Sequence, residues 1–236
     1  MKFELFHSVS ARSFRPLWVL EELGLEYVLH MLPFPPRMLK REFLETNPLG
    51  TVPAMRVGNT LMTESVAIAE YLATQAPAGA ALRVDPGEED WPAYLNHLHY
   101  GEATLTFPQT LVLRYRHFEP PEKRNPQVAA DYERWFLARL RMLDTQLESR
   151  RYLCAGRFTL ADVSVGYALM LAEHLGLLPA LPPRVQAYWH ALQSRPSFQN
   201  ALRAERDAAV AQGVSPRPAP SERPWGDGLA QTSIEE

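Results

Sequence analysis

Residues 47–65 constrain the fold of this chain more than any other stretch. They begin with the turn Asn-Pro-Leu-Gly, enter an extended run after Val52-Pro53, reverse at a Gly-Asn pair, and end at Glu64-Ser65. An apolar helical pattern starts directly after that point. This order of turn residues, extended runs and helix start predicts a β-hairpin that leads directly into a helix.

Three features of this stretch suit a peptide with charged ends. A proline at the mouth of a strand belongs at a sheet edge, because it has no N–H to donate to a neighbouring strand. A cis Val52-Pro53 bond would turn the N–H and C=O of Val52 outward, where an extended peptide can pair with both. Ser65 at a helix start offers a hydroxyl and free N–H groups to a carboxylate. Glu64 can bind an ammonium group.

In this order and spacing, the Val-Pro and Glu-Ser pairs resemble the glutathione-binding half of the cytosolic glutathione transferase family. The resemblance implies that the peptide is glutathione, γ-glutamyl-cysteinyl-glycine. It implies that Val52, Pro53, Glu64 and Ser65 bind this cosubstrate, and that the first domain has a thioredoxin-like fold.

The composition restricts the partners of the chain. The formal net charge is −3 and no Lys/Arg tract occurs, so we expect neither a nucleic acid nor a membrane as partner. The N-terminus carries no basic-then-apolar leader, and no apolar run approaches the roughly 18 residues of a membrane span, which predicts a cytoplasmic protein. The single cysteine, Cys154, excludes an internal disulfide and a Cys-x-x-Cys redox motif.

Strand and helix patterns alternate in the first 78 residues. After a weakly alternating first strand, residues 14–23 place apolar side chains largely on one helical face, and Gly24 is positioned as the C-terminal cap of that helix. A strand at 27–32 and a helix at 36–44 follow, before the hairpin and its helix. We therefore predict the order βαβαββα, which is that of a thioredoxin-like α/β domain, for residues 1–78.

Strand patterns end at a linker rich in Ala, Pro and Gly, residues 76–87. Beyond it, five helical segments are predicted: 91–117, 126–148, 160–175, 185–193 and 197–208. We expect an all-helical domain over 88–210 and a Pro-rich tail over 211–236 that does not fold by itself.

One helix of that second domain carries its own start signal. Thr159 and Asp162 have the spacing of a capping box, with Asp in place of the usual Glu or Gln, and Phe158 is positioned as the hydrophobic staple. The same Thr-Leu-Ala-Asp occurs in the helical domain of the transferase family, where the resemblance implies a role in folding.

The resemblance places the sulfur-activating group in the loop after the first strand. The thiolate is the nucleophile, and a thiol with a pKa of about 8.5 is mostly protonated at neutral pH, so a neighbouring group must lower that pKa. The run from Ser10 to Arg15 resembles the bacterial Ser-x-Asn-x-x-Lys/Arg loop, which implies Ser10 as the activating residue. Ser13, Ser8, the Arg12 cation and backbone amides are the alternatives.

Other alignments of this loop fit less well. The cysteine-using bacterial class would have its cysteine at Arg12 and a tyrosine at His7, and the zeta-class pattern would have a serine at Ala11 and its cysteine at Arg12. Structural roles stay open beside the catalytic ones. Ser10 can be a loop or helix-capping serine, and Arg12 can pair with a carboxylate across the cleft.

The resemblance implies a glutathione-dependent enzyme that adds the thiolate to a small hydrophobic electrophile, or that reduces a peroxide or disulfide. It also implies a homodimer.

Lys40 or Arg41 is the candidate for binding the glycine carboxylate of glutathione, although both can be solvated surface cations. A non-catalytic binding or regulatory protein on the same scaffold and a glutathione-dependent isomerase are the alternative functions. We expect no metal, because the chain has few histidines and its carboxylates do not cluster at the spacing of metal ligands.

Overall fold

The computed structural model of the chain describes residues 2–218, which begin with a four-stranded sheet. The strands are β1 (Phe3–His7), β2 (Tyr27–Met31), β3 (Ala54–Val57) and β4 (Thr60–Met62). Their order in the sheet is β2-β1-β3-β4. Strand β1 pairs parallel with β2 and antiparallel with β3, and β3 and β4 form the antiparallel hairpin.

Four helices accompany the sheet. They are α1 (Phe14–Leu23), α2 (Pro36–Leu39), α3 (Phe43–Thr46) and α4 (Ser65–Ala73). The prediction of one helix over 36–44 was wrong, because the chain leaves the helical conformation at Lys40, with φ −147° and ψ 69°. The remaining elements follow the predicted order βαβαββα, and Gly24 ends α1 in the left-handed conformation, with φ 61°.

The second half is helical, as predicted. Its helices are α5 (Trp91–His99), α6 (Phe107–Leu113), α7 (Pro126–Gln146), α8 (Leu160–His174), α9 (Pro183–Gln193) and α10 (Pro196–Ala211). The predicted helix over 91–117 exists, but two π-helical segments interrupt its α-helical geometry, Tyr100–Thr106 and Arg114–Phe118. No helix within residues 2–218 is long and apolar enough to cross a membrane.

The two halves share one hydrophobic core around α8. Every residue from 160 to 172 in this helix is buried, as expected for a helix that is apolar on all sides. Trp18 of α1 reaches this core, where a Cβ at Gly166 would lie 3.0 Å from the Trp18 ring. The Trp18 indole N–H also donates to Ser197 Oγ at 3.1 Å. The sheet half is therefore packed directly against α8 and α10.

The predicted capping box at the start of α8 is confirmed. The carboxylate of Asp162 accepts hydrogen bonds from the backbone N–H of Thr159 at 2.8 Å and of Leu153 at 3.1 Å, and from the Tyr188 hydroxyl at 2.7 Å. Burial raises the pKa of Asp162 to about 6, against the opposing effect of these hydrogen bonds. Asp162 thus fixes the start of α8 and links it to α9.

The predicted tail over 211–236 lies mostly outside the described residues, which end at 218. Helix α10 ends at Ala211, at the start of that predicted tail. The domain boundaries drawn from the sequence, 1–78 and 88–210, stay a prediction.

Candidate active site

A buried asparagine shapes the turn before the hairpin. The Asn47 side chain donates to the Thr51 carbonyl at 2.8 Å and accepts from the Leu49 N–H at 3.2 Å. Gly50 completes the turn with φ +60°, and a Cβ at this position would lie 2.6 Å from the Arg37 Cβ. The turn therefore requires glycine for both conformation and space.

The chain then reaches the start of β3 at Val52. The prediction of a sheet edge at this proline was wrong, because β3 lies between β1 and β4 in the sheet. The Val52-Pro53 peptide bond is cis, and β3 begins one residue after Pro53. Within residues 2–218, the N–H and C=O of Val52 have no hydrogen-bond partner. An extended peptide can pair with both groups by strand addition.

Ser65 is the first residue of α4, where the backbone N–H groups of the first turn are available to a ligand. Its hydroxyl oxygen accepts a hydrogen bond from Arg15 Nη1 at 3.1 Å. Because that oxygen already has a donor, the hydroxyl hydrogen can itself be donated to a carboxylate. Glu64, with an extended backbone just before the helix, is exposed to solvent.

Arg15 is the residue that connects Ser65 to the helical half. Its side chain is fully buried, and it lies 4.3 Å from the centroid of the Tyr167 ring. Its remaining donors bind Glu102 Oε2 at 2.5 Å, Thr106 Oγ1 at 2.9 Å, and the carbonyl oxygens of Ser164 and Gly101 at 3.2 to 3.3 Å. A buried guanidinium is stable only with such complete pairing.

Glu102 lies in the first π-helical segment and pairs with two arginines. One carboxylate oxygen binds Arg15, and the other accepts from Arg12 Nε at 2.5 Å. Burial raises the pKa of Glu102, but Arg15 and Arg12 lower it by more, so the pKa lies below its ordinary value. Arg12 therefore pairs with a carboxylate of the helical half, which is one of its two predicted roles. The other role, as a cation beside the sulfur, stays a prediction.

Close packing places Glu102 at the loop. A Cβ on the preceding residue, Gly101, would lie 2.4 Å from Ser164 Oγ, so only glycine permits this approach of the helix to α8. The π-helical geometry of this segment also shifts the register of the side chains, a feature that is frequent at functional sites.

The loop after β1 contains Ser10 in an unusual conformation. Ser10 has φ 54°, in the left-handed region that favours glycine. Its N–H donates to Glu205 Oε2 at 2.9 Å, and its hydroxyl donates to Glu205 Oε1 at 3.4 Å. The Tyr167 hydroxyl, whose pKa burial raises to about 12, donates to the Ser10 carbonyl at 3.4 Å.

His7 at the end of β1 joins the same cluster. Its Nε2 lies 2.9 Å from Glu205 Oε2, and its Nδ1 lies 2.7 Å from Ser13 Oγ. Because a carboxylate only accepts, Nε2 carries the proton and a neutral ring accepts the Ser13 hydroxyl at Nδ1. Serine hydrolases combine the same residue types, but the Ser13 hydroxyl is fully buried and faces the imidazole. This geometry gives Ser13 a structural contact, and its role at the sulfur stays a prediction. The neighbouring Ser8 side chain is also buried.

Lys40 lies apart from these groups. Its side chain is 55% exposed, and its Nζ is 3.8 Å from Glu42 Oε2. Within residues 2–218 no hydrogen bond or ion pair joins Lys40 to Ser10 or Ser65. Arg41 is exposed as well. A contact of either cation with the glycine carboxylate stays a prediction.

The structure thus brings Ser10, Arg12 and Ser65 into one network and places Lys40 outside it. Sequence reasoning did not predict the contacts of the two acidic residues from the helical half, Glu102 and Glu205, which hold this network together. The available signal was weak: Glu205 interrupts the face of α10 that contains Phe198, Ala201 and Ala209.

Comparisons with known proteins show what this chain is similar to. The family model for the glutathione S-transferase N-terminal domain matches residues 9–75. Glutathione S-transferase GstA of Escherichia coli O157:H7 is 29% identical over 213 residues, which cover 86% of this chain and 98% of that protein. Glutathione S-transferase 3 of Zea mays is 30% identical over 206 residues, which cover 79% of this chain and 86% of the maize protein.

Solved structures extend the similarity to both halves. A glutathione transferase from Methylococcus capsulatus is 26% identical with a TM-score of 0.74, covering 86% of this chain and 98% of that structure. A sphingomonad glutathione S-transferase complexed with glutathione is 26% identical with a TM-score of 0.73, covering 85% of this chain and 98% of its own. From these similarities, together with the fold and the arrangement of Ser10 and Ser65, it follows that the chain belongs to the glutathione S-transferase family.

Proposed function

We propose that this family member activates the thiol of glutathione with Ser10 and transfers the thiolate to a small hydrophobic electrophile. One observation carries the proposal. The peptide-binding groups at Ser65 and the serine loop are joined by the continuous chain of contacts Ser65–Arg15–Glu102–Arg12, and Arg12 lies two residues from Ser10.

Each end of glutathione has a matching group. The backbone of Val52 suits the peptide bond, the Ser65 hydroxyl and the first turn of α4 suit an α-carboxylate, and the exposed Glu64 suits the α-ammonium. The sphingomonad glutathione S-transferase was solved in complex with glutathione, which supports the same ligand here. The predicted absence of a metal requires its own test.

Ser10 would act on the sulfur by hydrogen bonding. A donor to a charged group contributes about 1.5–3 kcal/mol, which lowers a thiol pKa by about 1–2 units. The thiol proton passes to solvent, and the thiolate then forms a C–S bond with an electrophilic carbon. In a substitution the leaving group departs from that carbon with the bonding electron pair, and in an addition the π bond opens and the neighbouring carbon takes a proton from solvent. Attack on a peroxide or a disulfide would use the same thiolate. The transferase names of the relatives favour conjugation over a non-catalytic binding protein or an isomerase.

We also infer a homodimer in the cytoplasm. Support for self-association comes from exposed apolar side chains, of which Leu49 is 61% and Phe107 is 52% exposed. Phe107 also lines a shallow cavity of about 220 Å³ together with Tyr132 and Trp135. Surfaces of this kind mark protein contacts in many soluble proteins.

Calorimetric titration of glutathione tests the proposal, combined with the thiol pKa of bound glutathione from thiolate absorbance. We expect Ser65→Ala to bind at least about tenfold more weakly, because a charge-assisted hydrogen bond is lost. We expect Ser10→Ala to bind glutathione within about twofold of wild type but with a thiol pKa about 1–2 units higher.

The exposed Ser149 provides the matched control, since Ser149→Ala removes a hydroxyl far from these contacts. No binding of glutathione to the wild type up to millimolar concentration would contradict the proposed function. If the thiol pKa of glutathione bound to Ser10→Ala equals that in the wild-type complex, the activation belongs to another group of the loop.

A further inference from the structure

We propose that Glu205, on the last helix of the described chain, is the positioning residue for Ser10. It fixes the backbone of the loop so that the Ser10 hydroxyl faces the sulfur of bound glutathione. This inference rests on the proposed function of Ser10, and it adds a residue that lies 195 positions away in the chain.

The conformation of Ser10 requires such a partner. A left-handed backbone is unfavourable for a residue with a side chain, and it persists only where surrounding contacts determine it. Ser10 has three such contacts from the helical half. Glu205 accepts its N–H and its hydroxyl, and Tyr167 donates to its carbonyl.

Glu205 occupies a position that packing alone would give to an apolar residue. The buried face of α10 contains Phe198, Ala201, Glu205 and Ala209 at helical spacing. The Glu205 residue is only 3% exposed, and burial of a carboxylate is unfavourable without hydrogen bonds. Within residues 2–218 its hydrogen-bond partners are His7 and Ser10, and the side chains of His174 and Tyr167 interact with it electrostatically. The hydrogen bonds of Glu205 therefore serve the loop after β1 and not the helix that carries it.

The two bonds to Ser10 differ in a way that suits catalysis. The N–H···Oε2 bond is short, at 2.9 Å, and fixes the backbone. The hydroxyl contact to Oε1 is long, at 3.4 Å, so the hydroxyl hydrogen can rotate toward a thiolate at little cost. His7 Nε2–H, 2.9 Å from Oε2, holds the carboxylate in place. Glu205 thus acts on the sulfur only through Ser10.

Two conservative variants separate position from charge. Glu205→Asp keeps the charge but withdraws the carboxylate by one methylene group, whereas Glu205→Gln keeps the length and one acceptor oxygen but removes the charge. Asp207→Asn on the same helix is the control, because Asp207 is 73% exposed. Amide hydrogen exchange at Ser10 reports the position of the loop without glutathione. The kcat, the KM for glutathione and the thiol pKa of the bound peptide report its consequence.

We expect Glu205→Asp to make amide exchange at Ser10 about tenfold faster and kcat about tenfold lower. The thiol pKa of bound glutathione should rise, and the KM for glutathione should stay within about twofold of wild type. We expect Glu205→Gln to stay within about threefold of wild type in all four measurements. Unchanged exchange and kcat in Glu205→Asp, or an equal loss in Glu205→Gln, would overturn the positioning role. A wild-type complex without a lowered thiol pKa would overturn the proposed function instead, and the Ser10 exchange rates would still decide the role of Glu205.

Discussion

The helix start at Ser65 and the loop at Ser10 belong to the same sheet half, yet the helical half supports them in different ways. Ser65 has regular helical geometry and contacts a buried cation, Arg15, whose charge Glu102 balances. Ser10 has a left-handed backbone and contacts the carboxylate of Glu205. The proposed carboxylate site thus uses a standard helix terminus, whereas the proposed sulfur-activating loop has a conformation that contacts from distant residues support.

This difference has an energetic consequence. The contacts at Ser65 are electrostatic and buried, so the loss of one charge leaves an unpaired charge in the core. The contacts at Ser10 are hydrogen bonds that offset a local backbone cost. Changes near Ser65 should therefore affect stability and binding, and changes near Ser10 should affect thiol acidity.

The largest effect is expected for Arg15→Met. This substitution leaves Glu102 with Arg12 as its arginine partner, so it should lower the free energy of unfolding by about 3 kcal/mol, the low end of the range for a broken buried ion pair. Ser65 also loses a donor to its hydroxyl, so glutathione binding should weaken. Urea denaturation and calorimetric titration measure the two effects.

Arg15→Lys is the matched variant for that experiment. It keeps the charge but loses the planar fork of donors, and it should fall between wild type and Arg15→Met. If Arg15→Met were as stable as wild type, the buried ion pair near Ser65 would not contribute to the stability of the fold.

A smaller effect is expected from pH through Glu102. Arg15 and Arg12 outweigh burial and keep the pKa of Glu102 below its ordinary value of 4.5. A carboxylate with a lowered pKa contributes stability that is present above its unfolded pKa and is lost as the pH falls through its folded pKa. Below about pH 4.5, the unfolding free energy of wild type should therefore decrease more steeply than that of Glu102→Gln.

Urea denaturation at a series of pH values from neutral to acidic measures this slope. Glu148→Gln serves as the control, because the Glu148 side chain is 65% exposed. Equal slopes for wild type and Glu102→Gln would show that the arginines do not hold Glu102 ionised.

The smallest effect is expected for Arg12→Met. The Arg12 side chain is 33% exposed, and partly exposed ion pairs contribute about 1 kcal/mol or less. Because Glu102 balances the charge of Arg12, the loss of Arg12 should raise the thiol pKa of bound glutathione by less than Ser10→Ala does. A rise larger than that of Ser10→Ala, in the same absorbance titration, would make Arg12 the activating group and reverse the roles in the loop.

Much of the fold could be predicted from local patterns. The hairpin, the helix start at Ser65, the cap at Gly24 and the capping box at Asp162 were all predicted, because each depends on residues a few positions apart. The break at Lys40 and the π-helical segments were not predicted. Both arise from backbone geometry that local propensity does not determine.

The candidate site was predictable only in part. The Val52-Pro53 and Glu64-Ser65 pairs were singled out because the start of a strand and the start of a helix can bind ligands mainly through backbone groups, which short motifs specify. Ser10 was chosen by resemblance, and its role is still to be tested. The partners of the loop could not be inferred, because the helical periodicity that places Glu205 on a buried face does not reveal what it contacts.

By itself, the sequence determined the order of the elements, the hairpin after Val52-Pro53 and the helix start at Ser65, since these features follow from local periodicity and from turn residues. Only the tertiary structure decided that Arg15 and Glu102 connect Ser65 to α8, and that Glu205 meets Ser10. The physical reason is that buried charges are stable only in pairs, and the packing of the two halves selects which distant charges and donors meet.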